Sequence, residues 1–344
     1  MNREKNKHYC NVMLLLFLLL VIIAVCAMLV GQYDISFSGL YESITEKAGT
    51  TTSNSLKTAA HVLFQVRIPR ILLAGLVGAG LSISGSALQG TFQNPLVSPD
   101  LLGVCSGAGF GAALGILMGK GTGLFTPVLS LAFGLISVLL VFFFAGTRSR
   151  SETLSVILGG IIVSSIFTAL ISLIKYVADS SETLPAITFW QMGSFANAAY
   201  HDIKISFVPI VSGIVGLILL RWKINLLSLG DEDCYTLGIN PNRTRWMIIL
   251  LTTLTTAGCV TVSGVIGWVG LVIPHICRKL VGVNHGYLLP ASCLMGAIFM
   301  ILVDTAARNL TSAEIPIGIL TALIGAPFFA AIYQKGKRRD NAEK

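Results

Sequence analysis

Residues 67–109 read RIPRILLAGLVGAGLSISGSALQGTFQNPLVSPDLLGVCSGAG, and this stretch decides the fold class of the chain. The run from 71 to 91 carries no charged residue, and a second run rich in small and apolar residues follows from 100 to 118. About 20 predominantly apolar residues suffice for one helical crossing of a bilayer. The stretch therefore predicts two consecutive transmembrane helices joined by a short connection.

The second of these predicted helices carries a glycine at every fourth position. Such a spacing places the glycines on one helical face, where the absence of side chains lets another helix approach closely. We interpret them as a packing surface, formed by Gly103, Gly107, Gly111, Gly115 and Gly119.

The start of that helix reads Ser98-Pro99-Asp100. This order predicts a serine N-cap, a proline in the first turn, and a carboxylate at the positive end of the helix dipole. We interpret these three residues as structural rather than ligand-binding.

The composition extends the membrane interpretation to the whole chain. Of the 344 residues, 54% are hydrophobic and only 12% are charged, whereas soluble domains carry about 25% charged residues. The net charge of +8 does not indicate nucleic-acid binding, because Lys and Arg lie mainly between apolar runs, as the positive-inside rule expects of cytoplasmic loops. We predict an all-α, polytopic protein of the cell membrane, with residues 1–344 forming one integral domain.

The apolar runs predict ten crossings, with both termini in the cytoplasm. The first run is too long for a signal peptide, so we expect it to remain as an uncleaved span. Within 246–277, either two short crossings or a broken re-entrant pair fits the sequence. The predicted tails are 1–11 and 334–344, the main extracytoplasmic segment is 34–66, and the spans are 12–31, 71–91, 100–118, 125–145, 154–175, 205–221, 246–263, 268–281, 287–307 and 315–333.

No catalytic, metal or cofactor site is visible in the sequence. The seven cysteines are scattered and are expected to be small buried thiols, and neither His275 nor His285 has a set of further ligands at metal-binding spacing. The segment GILMGKGT at 115–122 is one residue too short for a P-loop, and Gly121 follows its lysine. If ATP drives transport here, a separate subunit must hydrolyse it.

Three arginines lie on the side that the positive-inside rule disfavours: Arg67, Arg70 and Arg308. Either they contact lipid phosphates, or they form a docking surface for carboxylates of a partner protein. Nothing in the sequence offers Arg67 or Arg70 a nearby acid. Asp304 precedes Arg308 by one helical turn and is expected to orient it. A proton-relay role for Asp304 is the alternative.

The cytoplasmic segment 226–245 reads LLSLGDEDCYTLGINPNRTR and is patterned beyond the needs of a loop. Its glycines at 230 and 238 bracket a short polar piece that we expect to be helical, with Pro241 beyond it. A solvated loop is one interpretation. The other is a rigid surface that contacts a cytoplasmic partner.

Together these segments resemble the FecCD-type permeases of ABC importers for siderophores, haem and cobalamin. The matching segments follow the family order and cover nearly the whole chain after residue 60. They are 67–109 as quoted above, ILGG (157–160), FWQMGS (189–194), LGDEDCYTLGIN (229–240), SGVIGWVGLVIPHICR (263–278), LLPAS (288–292) and EIPIGILTALIGAPFF (314–329).

The resemblance implies a type II ABC importer permease of about ten helices. Its partners would be a second permease subunit, two cytoplasmic ATPase subunits and an extracytoplasmic substrate-binding protein, with no cofactor of its own. The implied cargo is an iron(III)–siderophore or related metal chelate. The alternatives are an ion-coupled secondary transporter, for which Asp304 is the best acid, and a membrane enzyme, for which no site is visible.

The resemblance also implies roles for particular residues. Binding-protein docking falls on Arg67, Arg70 and Arg308, with Asp304 as the orienting acid. The ATPase-coupling segment, within 224–245, falls on Leu229, Gly230, Cys234, Leu237, Gly238 and Ile239; Cys234 departs from the alanine common in relatives but stays small. The gate is placed at Glu152, Thr153 and Leu154, and the path lining at Ser164, Ser165 and Thr168.

Overall fold

A computed structural model describes residues 2–31, 33, 54–119, 123–145, 152–311 and 313–342 of the chain. The described residues form helices joined by short connections. The helices are α1 (Asn2–Leu29), α2 (Asn54–His61), α3 (Ile68–Thr91), α4 (Val104–Leu117), α5 (Phe125–Ala145), α6 (Glu152–Val177), α7 (Thr183–Met192), α8 (Tyr200–Leu227), α9 (Asp231–Thr236), α10 (Pro241–Ser263), α11 (Val269–Val281), α12 (His285–Leu310) and α13 (Ile317–Ala342).

The all-α, multi-pass architecture predicted from the sequence is confirmed. Every predicted span falls on a helix, and seven helical segments are long and apolar enough to cross a membrane. The other three predicted spans fall on the shorter α4 and α11 and on the apolar part of α13. The sequence did not predict α7, a ten-residue helix between the fifth and sixth spans.

The second span begins much earlier than predicted. α2 continues through a π-helical segment, Val62–Arg67, directly into α3, so residues 54–66 of the predicted extracytoplasmic segment are helical. The predicted span began at residue 71 because the uncharged run begins there, directly after Arg70. The π-helical hydrogen bond from Ile68 N–H to the Leu63 carbonyl instead carries the helix past Pro69.

The third span starts differently from the prediction. Pro99–Leu102 form a separate 3-10 turn, and Ser98 makes no side-chain cap. Gly103 follows with φ at +72°, in the left-handed region, and α4 begins only at Val104. The Asp100 carboxylate accepts a hydrogen bond from the Cys105 thiol at 2.7 Å. The predicted serine cap is therefore wrong, because the glycine turns the chain between Ser98 and the helix proper.

The glycine face of α4 packs against the backbone of α5. A Cβ on Gly107 would lie 2.5 Å from the Phe133 carbonyl oxygen, and one on Gly111 would lie 2.2 Å from that of Leu129. A Cβ on Gly115 would lie 2.7 Å from the Thr126 hydroxyl oxygen and 3.0 Å from its Cα. Three of the five predicted glycines thus make the close helix contact; Gly103 and Gly119 lie at turns with positive φ.

α3 is the central helix, and it crosses α12 at a pair of glycines. A Cβ on Gly78 would lie 2.2 Å from the Gly296 carbonyl oxygen, and one on Gly296 would lie 2.3 Å from that of Gly78. Further along α3, Gly85 approaches the carbonyl oxygen of Gly270 in α11 equally closely. The small residues of the 67–109 stretch therefore bring three helices together at backbone distance.

The stretch 246–277 contains a helix break, at the place where the sequence offered glycines for a turn. α10 ends at Ser263, and α11 begins at Val269. Gly264 and Trp268 both have positive φ, at +66° and +70°. The break packs against α7, since a Cβ on Gly264 would lie 2.1 Å from the Trp190 carbonyl oxygen.

The cysteine prediction is partly wrong. Cys105, Cys234, Cys259 and Cys277 are buried and Cys293 is partly buried, as expected of small packing thiols. Two further cysteines are exposed on α1, which presents most of its surface outward: Cys10 and Cys26.

We expect Gly111→Ala to destabilise the protein by about 1–3 kcal/mol, because the added methyl group forces α4 and α5 apart. Gly109→Ala is the matched control, since its Cβ meets only the Ile171 side chain at 3.5 Å. Thermal unfolding of the purified protein in detergent compares the two. Equal unfolding temperatures for both variants would contradict the packing role of the glycine face.

Candidate functional site

The predicted path-lining residues lie on an exposed face of α6. Ser165 and Thr168 are exposed and Ser164 is partly exposed, whereas Val163 and Phe167 on the opposite face are buried. An open groove runs along this face and is closed on one side by the 3-10 turn. It is lined by Asp100, Leu101, Ile161, Ser164, Ser165, Thr168, Ala169 and Ser172.

The hydroxyl groups of this groove donate to their own helix. Ser165 donates to the Ile161 carbonyl at 2.8 Å, and Thr168 donates to the Ser164 carbonyl at 2.7 Å. Ser172 repeats the pattern one turn later, with the Thr168 carbonyl at 2.9 Å. Each donating hydroxyl retains lone pairs that can accept further hydrogen bonds. The groove is therefore mildly polar, and these three hydroxyl groups present acceptors to it.

The predicted gate lies at the start of α6. The helix begins at Glu152, although the side chains of Glu152 and Thr153 lie outside the described residues. Leu154 is 56% exposed. The gate assignment stays a prediction.

The predicted coupling segment contains a short helix, as the sequence suggested. α9 ends with Gly238 at φ +75°, where the Gly238 N–H donates to the Tyr235 carbonyl and the Ile239 N–H donates to the Cys234 carbonyl. These two bonds form a Schellman motif, which favours glycine at the left-handed position. Cys234 is fully buried, and its thiol donates to the Leu226 carbonyl at the end of α8.

An ion pair braces α9 against the next helix. Arg245 of α10 contacts both carboxylate oxygens of Asp231, the first residue of α9. The segment then presents apolar side chains outward: Leu229, Tyr235 and Leu237 are each more than half exposed. A rigid helix with exposed apolar residues has the properties of a protein-contact surface.

The predicted docking arginines are buried inside the subunit, with 3–6% of their surface exposed. Arg70 donates through Nε to Asp304 at 2.8 Å. Its two terminal nitrogens meet the Glu314 carboxylate at 3.0 and 2.9 Å, as a fork. The expectation that Arg70 has no internal acid is therefore wrong: its two partners are more than 230 residues away in the sequence and come close only in the fold.

The other two arginines hold the C-terminal end of α1. Arg67 donates to the carbonyls of Met28 and Leu29, and Arg308 donates to the Ala27 carbonyl at 3.3 Å. The last carbonyls of a helix have no intrahelical partners, so guanidinium donors there stabilise the helix end. Arg308 also pairs with Asp304 at 3.3 Å, which is the orienting contact predicted from their spacing.

These contacts define a charge cluster consisting of Arg70, Asp304, Arg308 and Glu314. Two guanidinium groups balance the buried Asp304 carboxylate. The three predicted docking arginines can contact a partner only if this cluster or the α1 contacts open.

Comparisons with known proteins agree with the fold. The sequence profile of the FecCD transport family matches residues 18–335. The chain belongs to the FecCD transport family. It is therefore a multi-pass permease of an ABC importer.

Individual relatives align with nearly the whole of this chain. The molybdate import system permease protein MolB of Haemophilus influenzae is 45% identical over 96% of this chain and 97% of its own length. A probable iron chelatin transport system permease protein of Helicobacter pylori is 39% identical over 90% and 94%. A solved structure titled as an inward-facing conformation of a putative metal-chelate type ABC transporter superposes with a TM-score of 0.84, at 44% identity, covering 94% of this chain and 99% of that one.

Sequence reasoning missed two acidic residues of this permease. Glu314 lies in the connection before α13, and only the fold brings it to Arg70. Asp100 was interpreted as a helix-start residue, but it also lines the groove beside α6. In both cases the role of the residue depends on a contact with a distant part of the chain, which the sequence alone does not reveal.

We expect Asp304→Asn to destabilise the permease by about 3–5 kcal/mol, because removing one partner of a buried ion pair leaves uncompensated charge. Asp231→Asn is the control: its carboxylate is 47% exposed, and an exposed pair contributes about 0–1 kcal/mol. Thermal unfolding in detergent measures both. Equal effects of the two substitutions would show that the charge cluster does not stabilise the fold.

Proposed function

We propose that the chain is one of two permease subunits of an ATP-driven importer that moves an iron(III)–siderophore or a related metal chelate into the cytoplasm. The observation that supports this most directly is the open groove on α6. Its hydroxyl-bearing face is exposed although the opposite face is buried, and a second permease subunit, identical or paralogous, would complete the path. The lipid bilayer surrounds the assembly.

Transport would follow alternating access. The loaded binding protein and ATP each favour particular states of the path, and import needs both biases. Glu152, Thr153 and Leu154 would form the inner gate at the cytoplasmic end of α6. The positive-inside bias supports cytoplasmic termini for this arrangement.

The coupling segment would transmit ATP hydrolysis from a separate ATPase subunit. Its support is the rigid α9, braced by Asp231 and Arg245, with Leu229 and Leu237 exposed. Gly230 and Gly238 provide the positive-φ turns at its two ends. The buried Cys234 thiol fixes the segment to the Leu226 carbonyl of α8, and the Schellman hydrogen bond from Ile239 to Cys234 closes the end of α9.

The structure weakens the rival proposal of an ion-coupled secondary transporter. That proposal needs an acid free to bind and release an ion near the middle of the membrane. Asp304 is instead held by two arginines near the C-terminal end of α12. Its contacts suit a structural role.

Binding-protein docking through Arg67, Arg70 and Arg308, with Asp304 between them, remains part of the proposal. A docking carboxylate would have to replace an internal partner. The most accessible partner is Glu314, which is 30% exposed whereas Asp304 is 1% exposed. Charge reversal at Arg67 or Arg308 is also expected to loosen α1, since both hold its last carbonyls.

We predict that the purified chain hydrolyses no ATP and copurifies with its ATPase subunit. Gly238→Val should reduce that copurification about fivefold or more, because a β-branched residue at φ +75° strains the end of α9. Gly282→Val is the matched control: it has φ +81° and open space around its Cβ, at the end of α11. Normal uptake by the chain without any ATPase would contradict the proposal.

We predict that Glu314→Gln strengthens docking of the loaded binding protein severalfold, because a partner carboxylate then competes with a neutral amide for Arg70. Binding to the reconstituted complex at low and moderate salt measures this. Unchanged or weaker binding would show that Arg70 does not receive a partner carboxylate.

A further inference from the structure

Asp100 occupies a fixed position beside the α6 groove. The 3-10 turn that carries it presses against α6 at Gly160, where a Cβ would lie 1.9 Å from the Leu101 carbonyl oxygen. Gly103 meets Val163 and Ser164 on the same helix, each at 3.3 Å from its Cβ position. Close backbone contact thus holds the carboxylate in register with the hydroxyl groups of α6.

The Asp100 carboxylate has no cationic partner among the described residues. Its recorded side-chain contact is the thiol of Cys105, a weak donor, at 2.7 Å. Asp304 differs, because Arg70 and Arg308 balance its charge. The N-terminal end of α4, just beyond Asp100, stabilises negative charge at this position without neutralising it.

The charge of the groove and three of its four hydroxyl groups favour a cation or a hydrogen-bond donor. Asp100 is the one charged residue among those that line it in the described structure. The hydroxyls of Ser165, Thr168 and Ser172 already donate to backbone carbonyls and therefore face the groove as acceptors. Lys175, one turn beyond Ser172 on α6, is the nearest cation along the helix and lies outside the groove lining.

We propose that Asp100 is a specificity-determining residue of the transport path. With the hydroxyl oxygens of α6, its carboxylate favours cargo that carries positive charge or hydrogen-bond donors and disfavours a free oxyanion such as molybdate. Acidic side chains select cations in other pores, and basic ones select anions. This inference rests on the proposed function, because it requires the α6 face to line the path.

The local electrostatic potential can be measured without cargo, ATPase or binding protein. In a chain without native cysteines, with Cys105→Ser keeping a donor to Asp100, Ser165→Cys places one thiol in the groove. Its reaction rates with a cationic methanethiosulfonate (trimethylammonium-ethyl) and an anionic one (sulfonatoethyl) give a ratio. The ratio is divided by that of a small free thiol in solution.

We expect a normalised cation-to-anion ratio of about fivefold or more, from one charge within about 10 Å in a partly hydrated groove. Asp100→Asn should bring the ratio close to one, and Asp100→Glu should retain it. Asp231→Asn, on the coupling segment, is the charge-neutralising control and should leave it unchanged. A ratio that Asp100→Asn does not lower would overturn the inference while leaving the proposed importer intact.

Two further outcomes test the proposed function and the cargo class. If the thiol reacts with neither reagent, the α6 face is not on an aqueous path, and both fail. In the complete complex, we expect Asp100→Asn to raise uptake of radiolabelled molybdate relative to a cationic ferric hydroxamate by about fivefold. Efficient molybdate import by the wild-type complex, unchanged in Asp100→Asn, would overturn the cargo class.

Discussion

The contact between the backbones of α3 and α12 at Gly78 and Gly296 is the interaction on which the other helices depend. Lipid tails are as apolar as leucine, so helices within a bilayer gain little from hydrophobic burial and associate through close packing. Each of these glycines would place a Cβ about 2 Å from the carbonyl oxygen of the other helix. Any larger residue at these positions forces the two helix axes apart and displaces the side chains on both helices.

The charge cluster lies near the N-terminal end of α3 and the C-terminal end of α12. Arg70 on α3 can meet Asp304 on α12 only because the helices cross closely. From there the contacts spread to the end of α1 through Arg308, and to the connection before α13 through Glu314. Packing of small residues thus positions the charges, and the charges fix the peripheral elements.

Much of the fold could be predicted from the sequence because membrane spans are local features. Uncharged runs predicted every span, and the glycines at 230 and 238 predicted the short helix α9. The start of α4 was wrong because a left-handed glycine at 103 cannot be distinguished by sequence from the packing glycines that follow it. Helix α7 was missed because its ten residues are too few to form a span of their own.

The candidate site was harder to predict because its meaning depends on long-range contacts. The α6 hydroxyls could be named from the helix and from the family resemblance, but Asp100 joins them only through the turn packed at Gly160. Arg67, Arg70 and Arg308 could be identified as unusual because they lie on the side of the predicted topology that the positive-inside rule disfavours. Their burial could not be predicted, because the Glu314 carboxylate and the α1 carbonyls that they contact lie far away in the sequence.

Uptake by proteoliposomes tests the importer most directly. The permease is reconstituted alone or with its ATPase subunit and loaded binding protein, and entry of a radiolabelled ferric chelate is measured with and without ATP. We predict uptake only when the ATPase, the binding protein and ATP are all present, and none in response to a proton or sodium gradient. Gradient-driven uptake by the permease alone would contradict the proposed ATP-driven importer and identify an ion-coupled transporter instead.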